Sequence, residues 1–293
     1  MTALRGGVAA ISGAASGIGR ALAIRWAREG AALALADRQA NELAETATQA
    51  RAAGATVSTH AVDVSDRTQV AQWAADAVAV HGRVTHLVNN AGVAIHGDFD
   101  ELTIEEFEWL LGINFWGVLY GMKAFLPTLR LEPAAHIVNV SSIFGIVAPA
   151  GQSAYVTSKF AVRGLSEAVR HELAGTQVRL SVVHPGGVRT NIASGARYKD
   201  DIPPGARQAL ADRFAQLARL TPEQAAELIT RGVLRNSPRI MVGNDARLID
   251  FVQRLFPATY WNAMDRMLDT AKHRRAFAAL VAAERAGQQP GDA

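Results

Sequence analysis

The chain has 293 residues, of which 49% are hydrophobic, and this suffices for one large α/β domain with an extensive core. It contains no cysteine, which excludes disulfides, cysteine–zinc sites and thiol catalysis. Its net charge is only +3 and its basic residues are scattered, so the composition argues against nucleic-acid binding.

The first residues, 1–5, lack the charged region, apolar stretch and cleavage site of a secretory signal. No apolar run reaches the roughly 18 residues that a membrane helix needs. We therefore expect a soluble, cytoplasmic protein.

Apolar strand patterns alternate with helical patterns along most of the chain. The predicted strands are residues 8–11, 32–36, 57–62, 86–89, 136–140, 179–183 and 239–242. The predicted helices are residues 17–29, 39–53, 66–81, 104–131 and 153–174. Because the strands are almost continuously apolar, helices should cover both of their faces. The pattern predicts an α/β fold: a Rossmann-type doubly wound parallel sheet of about seven strands with helices on both faces and a helical C-terminal extension.

Two segments depart from the alternation of strands and helices. Residues 186–222 are rich in glycine and proline and predict a mobile substrate loop, whereas residues 244–285 show a helical pattern. We assign residues 1–245 to a dinucleotide-binding and catalytic domain and residues 246–293 to the extension. Three roles for the extension stay open: covering the substrate site, completing a subunit interface, or lying on a membrane surface. The membrane alternative rests on residues Lys272, His273, Arg274 and Arg275 beside Phe277 and Leu280.

A glycine-rich turn follows the first strand with the spacing G-x-x-x-G-x-G. Its glycines allow a tight turn and a close approach to a pyrophosphate, and the following helix N-terminus offers free N–H groups. The candidate contacts are Gly13, Ser16, Gly17, Ile18 and Gly19. Taken alone, such a turn is also an ordinary strand-to-helix connection.

Asp37 ends the second predicted strand, eighteen positions after Gly19. A carboxylate there can accept hydrogen bonds from an adenosine ribose and would repel a 2′-phosphate, which favours NAD. Arg38 argues in the other direction, so NADP stays an alternative. Further polar turns follow the third and fourth strands, at Asp63, Val64, Asn90, Ala91 and Gly92.

Tyr155 and Lys159 are four positions apart on a predicted helix and therefore share a face. A lysine ammonium one turn away should lower the tyrosine pKa from its usual value of about 10. Ser142 follows the fifth strand and can hydrogen-bond a substrate oxygen. Asn114, on the long helix, can hold a water chain to Lys159.

Six motifs follow one another along the chain: the glycine turn, Asn89-Asn90-Ala91-Gly92, Asn114, Ser141-Ser142, Tyr155-x-x-x-Lys159 and Pro185-Gly186. In this order they resemble the short-chain dehydrogenase/reductase family, over residues 5–245. The general character is similar to bacterial hydroxysteroid- or acetoin-dehydrogenase-like members. The resemblance implies a catalytic tetrad of Asn114, Ser142, Tyr155 and Lys159, in which Tyr155 exchanges a proton with the substrate oxygen. The thirteen-residue offset from Tyr155 selects Ser142 rather than Ser141.

The same resemblance implies which residues bind the cofactor. The adenine would contact Asp63 and Val64, and its ribose the wall from Asn90 to Gly92. The nicotinamide end would contact Pro185, Gly186, Val188 and Thr190, with Tyr155 and Lys159 at its ribose. It implies no metal.

A largely apolar substrate site is expected around Ser142, Ile143, Phe144, Gln152, Tyr155, Gly187 and Ile192, with His96 as a further candidate. The apolar lining of this site predicts a neutral, hydrophobic secondary alcohol or ketone as the small-molecule partner. Family members are often homodimers or homotetramers through the helices at 104–131 and 153–174. The alternatives are a non-catalytic dinucleotide-binding scaffold or sensor, and an epimerase or dehydratase on the same fold.

Overall fold

The computed structural model describes residues 3–192, 195–198 and 218–262, together with residues 203, 205, 207–209, 212, 216 and 264. Within these residues the strands are β1 (Val8–Ser12), β2 (Ala32–Asp37), β3 (Val57–Ala61), β4 (His86–Asn89), β5 (Ile95–His96), β6 (Ala135–Val140), β7 (Val178–Pro185), β8 (Arg197–Tyr198) and β9 (Arg239–Val242). The α-helices are α1 (Gly17–Arg28), α2 (Ala40–Ala52), α3 (Arg67–His81), α4 (Ile104–Leu111), α5 (Gly117–Leu129), α6 (Ser153–Glu172), α7 (Pro222–Leu234) and α8 (Asn244–Leu255).

The main sheet has seven parallel strands in the order β3-β2-β1-β4-β6-β7-β9. The strand order reverses direction between β1 and β4, which creates a crevice at the carboxyl ends of these two strands. This confirms the predicted doubly wound parallel sheet. A separate pair, β5 and β8, forms a small parallel sheet that the sequence did not predict.

Helices cover both faces of the main sheet, and a buried apolar cluster lies under each layer. One cluster joins α1, α2 and α7 to the sheet, and the other joins α3, α5 and α6. Trp26 of α1 is fully buried, and its indole N–H donates to the Thr230 hydroxyl of α7 at 2.9 Å. This contact fixes two helices of one layer against each other.

Local chemistry explains where several helices begin. Asp66 caps α3 by accepting from the Thr68 and Gln69 amides. Capping boxes begin α4, with Thr103 and Glu106, and α7, with Thr221 and Gln224.

The structure corrects three sequence-based predictions about these elements. The helix expected over 104–131 is interrupted by a π-helical segment, Gly112–Trp116, between α4 and α5. Helix α7 was not predicted. Strand β3 forms an edge of the sheet, and its residues are partly exposed rather than buried as expected.

The segment expected to be a substrate loop, 186–222, is described only in part. It contains β8 and a parallel bridge between Val188 and Leu220. The described part of the extension begins with α8, so the proposed division at 245/246 falls inside the first turn of that helix. The basic and aromatic residues at 272–280 lie outside the described residues. Among the described residues, no helix has both the length and the apolar character needed to cross a bilayer.

Candidate active site

A cavity of about 1270 Å³ opens at the carboxyl ends of the central strands. The predicted site residues that line it are Gly13, Ser16, Gly17, Ile18, Asp37, Arg38, Asp63, Val64, Asn90, Ala91, Gly92, Ser142, Ile143, Phe144, Gln152, Tyr155, Lys159, Pro185, Gly186, Gly187, Val188, Thr190 and Ile192. Two predicted site residues, Gly19 and Asn114, do not line it and lie buried beneath its wall. The structure therefore brings the glycine turn and the Tyr155 region to one continuous cavity.

The glycine turn is built for close backbone approach. Gly13 and Gly17 have φ of 65° and 54°, in the left-handed region that favours glycine. Ser16 caps α1 without a side-chain hydrogen bond, so first-turn N–H groups of this helix are available to a ligand. This arrangement suits an anionic group such as a pyrophosphate.

Gly19 supports the turn from below. A Cβ atom built there would lie 2.0 Å from the Gly13 carbonyl oxygen and 2.6 Å from Asn90 Nδ2. The Asn90 amide itself donates to the carbonyls of Ser12 and Gly13, at 3.1 and 3.0 Å. Gly19 is thus needed for packing rather than for direct ligand contact.

Gly19→Ala is therefore expected to raise the dissociation constant for NADH about 10- to 100-fold, because the backbone of the turn must move. Fluorescence titration measures this, and the melting temperature should fall as well. Gly164→Ala is the matched control, since Gly164 is exposed on α6 and a Cβ there meets nothing within 4 Å. A Gly19→Ala protein with unchanged NADH affinity and melting temperature would contradict this account.

Asp37 is held in place at the end of β2. Its carboxylate accepts from the Ala15 amide at 2.9 Å and from the Gln39 amide at 3.0 Å. Both contacts fix the carboxylate beside the glycine turn at the cavity wall. Arg38 is exposed next to it and also lines the cavity.

Tyr155 and Ser142 meet at the other end of the cavity. Ser142 lies two residues beyond β6 and caps a short 3₁₀ turn, Ile143–Gly145, where its Oγ accepts from the Phe144 amide at 3.1 Å. The Phe144 and Tyr155 rings pack edge to face with centroids 6.2 Å apart. Burial raises the pKa of the Tyr155 phenol to about 12, although the nearby Ser142 side chain lowers it in part.

This result corrects the expectation that Lys159 lowers the pKa of Tyr155. The Lys159 Nζ lies 5.6 Å from the Tyr155 ring centroid and donates to the Val140 carbonyl at 3.2 Å. Burial also lowers the pKa of Lys159, to about 8, because the charged form loses its hydration. Loss of hydration therefore has the largest effect on the pKa of both groups, and the phenol of Tyr155 keeps its proton at neutral pH.

Asn114 lies in the π-helical segment and is fully buried. Its side chain accepts from the Val93 amide at 2.8 Å and donates to the Val93 carbonyl at 3.0 Å and to the Ser158 hydroxyl at 3.1 Å. The amide thus ties the loop after β4 to α6. A Cβ atom at Gly92 would lie 3.3 Å from Asn114 Oδ1 and 3.4 Å from Lys159 Nζ, so these two polar atoms flank Gly92.

The segment after β7 is fixed by a residue that sequence reasoning missed. Asp245 lines the cavity and accepts from the Gly187 amide at 2.7 Å. A Cβ atom at Gly186 would lie 2.3 Å from the Asp245 carboxylate, so the glycine is required there. Asp245 follows the carboxyl end of β9, and that position was the available signal for a site residue.

On the substrate side, His96 and Gln152 form a hydrogen-bonded pair in the cavity wall. The His96 ring stacks on Tyr198, with centroids 5.2 Å apart, and burial lowers its pKa to about 4. A neutral imidazole can accept from the Gln152 amide. His96, a further candidate from the sequence, thus lies at the cavity rather than in a solvated loop.

The opposite wall comes from the C-terminal extension. Leu248, Ile249 and Val252 of α8, together with Met264, line the cavity. Tyr260 accepts from the Ala148 amide at 3.1 Å. This part of the extension therefore packs beside the reaction centre, a tertiary contact that carries no local sequence signal.

The residues present fit a nicotinamide dinucleotide. The glycine turn and available helix amides suit its pyrophosphate, and the fixed Asp37 carboxylate suits an adenosine ribose. In the described part of the chain, no group of three or more His, Cys, Asp or Glu side chains is arranged to hold a metal ion.

Comparisons with known proteins agree with this site. The family model for short chain dehydrogenases matches residues 7–201. The oxidoreductase SadH of Mycobacterium tuberculosis is 41% identical over 263 residues, which cover 89% of this chain and 94% of that protein.

A second relative and a solved structure are also similar. The 2,5-dichloro-2,5-cyclohexadiene-1,4-diol dehydrogenase of Sphingobium indicum is 34% identical over 191 residues, covering 65% of this chain and 76% of that enzyme. A crystal structure of a short chain dehydrogenase/reductase from Burkholderia phymatum in complex with NAD superposes with a TM-score of 0.81 and 32% identity, covering 87% of this chain and 95% of that one. The matched motifs, the sheet order and these relatives agree, and the chain belongs to the short-chain dehydrogenase/reductase family of oxidoreductases.

Proposed function

We propose that this oxidoreductase transfers a hydride between a nicotinamide dinucleotide and a neutral, hydrophobic secondary alcohol or ketone, with Tyr155 as the acid/base. One observation carries the proposal: Tyr155 and Ser142 line the same cavity as the glycine turn, and Phe144, whose amide donates to the Ser142 hydroxyl, packs edge to face on the Tyr155 ring. A substrate oxygen placed between the Tyr155 and Ser142 hydroxyls would meet a proton donor and a hydrogen-bond donor.

Each residue has a defined task in this proposal. The phenol of Tyr155 gives its proton to a ketone oxygen, or takes one from an alcohol. Ser142 orients that oxygen, and the positive charge of Lys159, held by Val140, stabilises the phenolate that proton donation leaves. Asn114 positions the loop after β4 through Val93. The nicotinamide of a bound dinucleotide supplies or accepts the hydride.

NAD is the proposed cofactor, with NADP as the alternative. The Asp37 carboxylate at the cavity wall would hydrogen-bond ribose hydroxyls and repel a 2′-phosphate. The NAD complex of the Burkholderia phymatum relative supports this preference.

The cavity walls support a hydrophobic substrate. Ile143, Phe144, Ile192, Leu248 and Val252 line the cavity with apolar side chains. The Sphingobium indicum relative is named as a dehydrogenase of a cyclic diol, which favours an alcohol over a nucleotide-linked or thioester substrate.

A panel of secondary alcohols and ketones, followed by NADH or NADPH absorbance, tests the proposal. We expect turnover with a higher kcat/KM for NAD than for NADP, since Asp37 disfavours the phosphate. Clear NADP preference would contradict the role of Asp37. Tight NADH binding without turnover of any member would instead favour a scaffold or sensor.

We also propose a homodimer or homotetramer built through the region of α5 and α6. Trp116, at the start of α5, is exposed and stacks on Tyr120, and Phe160 of α6 is exposed as well. Sedimentation velocity measures the assembly, and a monomer would contradict it.

A further inference from the structure

Helix α8 carries an apolar stripe, of which the proposed function uses only the two residues that line the cavity. Its residues are Leu248, Phe251, Val252 and Leu255, at the i, i+3, i+4 and i+7 spacing of one helical face. Leu248, Phe251 and Leu255 are 50%, 59% and 56% exposed, although all three are large and apolar. We refer to these four residues as the α8 stripe.

Contacts made by the other faces of α8 determine which way the stripe points. Asp250 receives both terminal nitrogens of Arg239 on β9, at 3.2 and 2.7 Å, and Arg254 lies 3.2 Å from the same carboxylate. Ala246 is fully buried against Ile143 and the loop that follows it. The helix is thus anchored through Asp250 and Ala246, whereas Leu248, Phe251 and Leu255 stay at least half exposed within the part of the chain that the structure describes.

The stripe is continuous with the reaction cavity. Leu248 and Val252 line the cavity that also contains Tyr155 and Phe144, and Leu255 follows them on the same helical face. At about 1.5 Å per residue, the seven steps from Leu248 to Leu255 extend the apolar wall by about 10 Å along the helix.

The cavity also has more room than one ligand needs. Its volume of about 1270 Å³ exceeds the roughly 300–1,000 Å³ of ordinary small-molecule sites. A dinucleotide that reaches from the glycine turn to Tyr155 and Lys159 would fill much of it, whereas Phe144, Leu248 and Val252 line a part that lies beyond the residues assigned to that cofactor. An exposed apolar patch that continues from a cavity indicates a ligand that extends out of it. A membrane or a second subunit would cover Phe251 and Leu255 but would not explain why Leu248 and Val252 face the cavity.

We propose that the α8 stripe binds the aliphatic chain of an extended substrate, a long unbranched secondary alcohol or ketone whose oxygen lies at Tyr155. This inference rests on the proposed function and narrows its substrate class. The stripe supplies a surface without charged groups, so each methylene that contacts it leaves water.

Chain length should therefore control the specificity of the enzyme. Full burial of a methylene corresponds to about fourfold in kcat/KM, and a half-exposed wall should give about twofold per methylene. We expect kcat/KM to rise steadily from butan-2-one through octan-2-one to dodecan-2-one.

The test is the double variant Phe251→Asn/Leu255→Asn, which changes only exposed residues at the outer end of the stripe. It should lower kcat/KM for dodecan-2-one at least about tenfold, while butan-2-one, too short to reach these residues, changes less than about twofold. The matched control is Leu131→Asn, because Leu131 is 84% exposed just beyond α5 and does not line the cavity. Its chain-length profile should equal that of the unmodified enzyme.

Calorimetric titration of decan-2-one into the NAD-saturated enzyme gives a readout without turnover, because ketone and NAD are both oxidised. If the double variant, but not the control, binds decan-2-one more weakly, the result supports the role of the stripe even when no ketone is reduced. If NADH binds but no ketone is turned over, only the proposed function is refuted. An unchanged chain-length profile and unchanged decan-2-one affinity would overturn the inference. So would a double variant that alters only sedimentation mass or binding to phosphatidylglycerol vesicles, since the stripe would then be a subunit or membrane contact.

Discussion

Replacing Tyr155 with phenylalanine is expected to lower kcat about 10²- to 10⁴-fold, the usual contribution of a positioned general acid or base. The substitution removes only the hydroxyl and keeps the ring that packs edge to face on Phe144. The ring wall of the cavity is therefore preserved, and NADH should bind with an affinity close to that of the unmodified enzyme. Steady-state kinetics and a fluorescence titration with NADH check the two parts.

Tyr120→Phe is the control for this variant, because Tyr120 lies on α5 and does not line the cavity. Its kcat should stay within about twofold of the unmodified enzyme, because the half-buried Tyr120 ring is kept and its hydroxyl lies away from the cavity. Near-full activity of Tyr155→Phe would refute the acid/base role. A parallel loss of NADH affinity and melting temperature would show that the hydroxyl matters for the fold rather than for proton transfer.

Burial of Tyr155 also determines which form of the phenol is present in the unmodified enzyme. Because burial raises the pKa of Tyr155 to about 12, the phenol keeps its proton at neutral pH, and its ionised form depends on the nearby positive charge of Lys159. The pairing of tyrosine and lysine on one helical face predicted a lowered pKa for Tyr155, and the burial of the phenol explains why its pKa is raised instead. Helical spacing indicates that two residues are neighbours, but the cost of desolvation depends on the elements that cover them.

The predicted site residues that line the cavity carry local signals. The glycine turn and Asp37 follow strands whose continuous apolar character marks them as buried, and parallel strands place their carboxyl ends at one edge. The sequence around α7 also contained a signal, Thr221-Pro222 with Gln224 three positions after the cap, but it was assigned to the end of a loop.

Other features depend on tertiary contacts and have no local pattern. Asn114 points at Val93 because the π-helical segment changes the phase of the helix, and a helical wheel drawn over 104–131 cannot show this. The apolar face of α8 is visible in the sequence, yet its contact with the cavity depends on the ion pair between Asp250 and Arg239.

Acid should destabilise this protein strongly, because several histidines are buried in the neutral form. His86 and His136 are partners in the register of β4 and β6 and are fully buried. Burial lowers their pKa values to about 4 and about 3, and each charged form would also repel the other. Burial lowers the pKa of His184, on β7, to about 4.

The surroundings offer these imidazoles hydroxyl partners but little charge compensation. His86 Nδ1 lies 2.8 Å from the Thr85 hydroxyl and packs against the Trp26 ring. His136 Nε2 lies 2.8 Å from the Ser181 hydroxyl, and Arg179 further disfavours its protonation. The second ring nitrogen of each residue has no hydrogen-bond partner among the described residues.

The direction of the pH effect follows from these lowered values. Above the unfolded-state pKa of about 6.5, both states are neutral and the full stability is present. Below it, the unfolded chain binds protons that the folded chain refuses, so stability falls until pH reaches the folded pKa values near 4 and 3. Between pH 7 and pH 5 each histidine should remove about 2 kcal/mol from the free energy of unfolding.

Urea unfolding at pH 7, 6 and 5 measures this loss. His136→Asn should flatten the dependence on pH by about 2 kcal/mol over this range, even if it lowers stability at pH 7. His171→Asn, at an exposed position near the end of α6, is the control and should leave the slope unchanged. Equal slopes for the unmodified protein and His136→Asn would show that carboxylates, not the buried histidine, control acid stability. The test bears on the fold alone, because His86 and His136 lie outside the cavity that contains Tyr155.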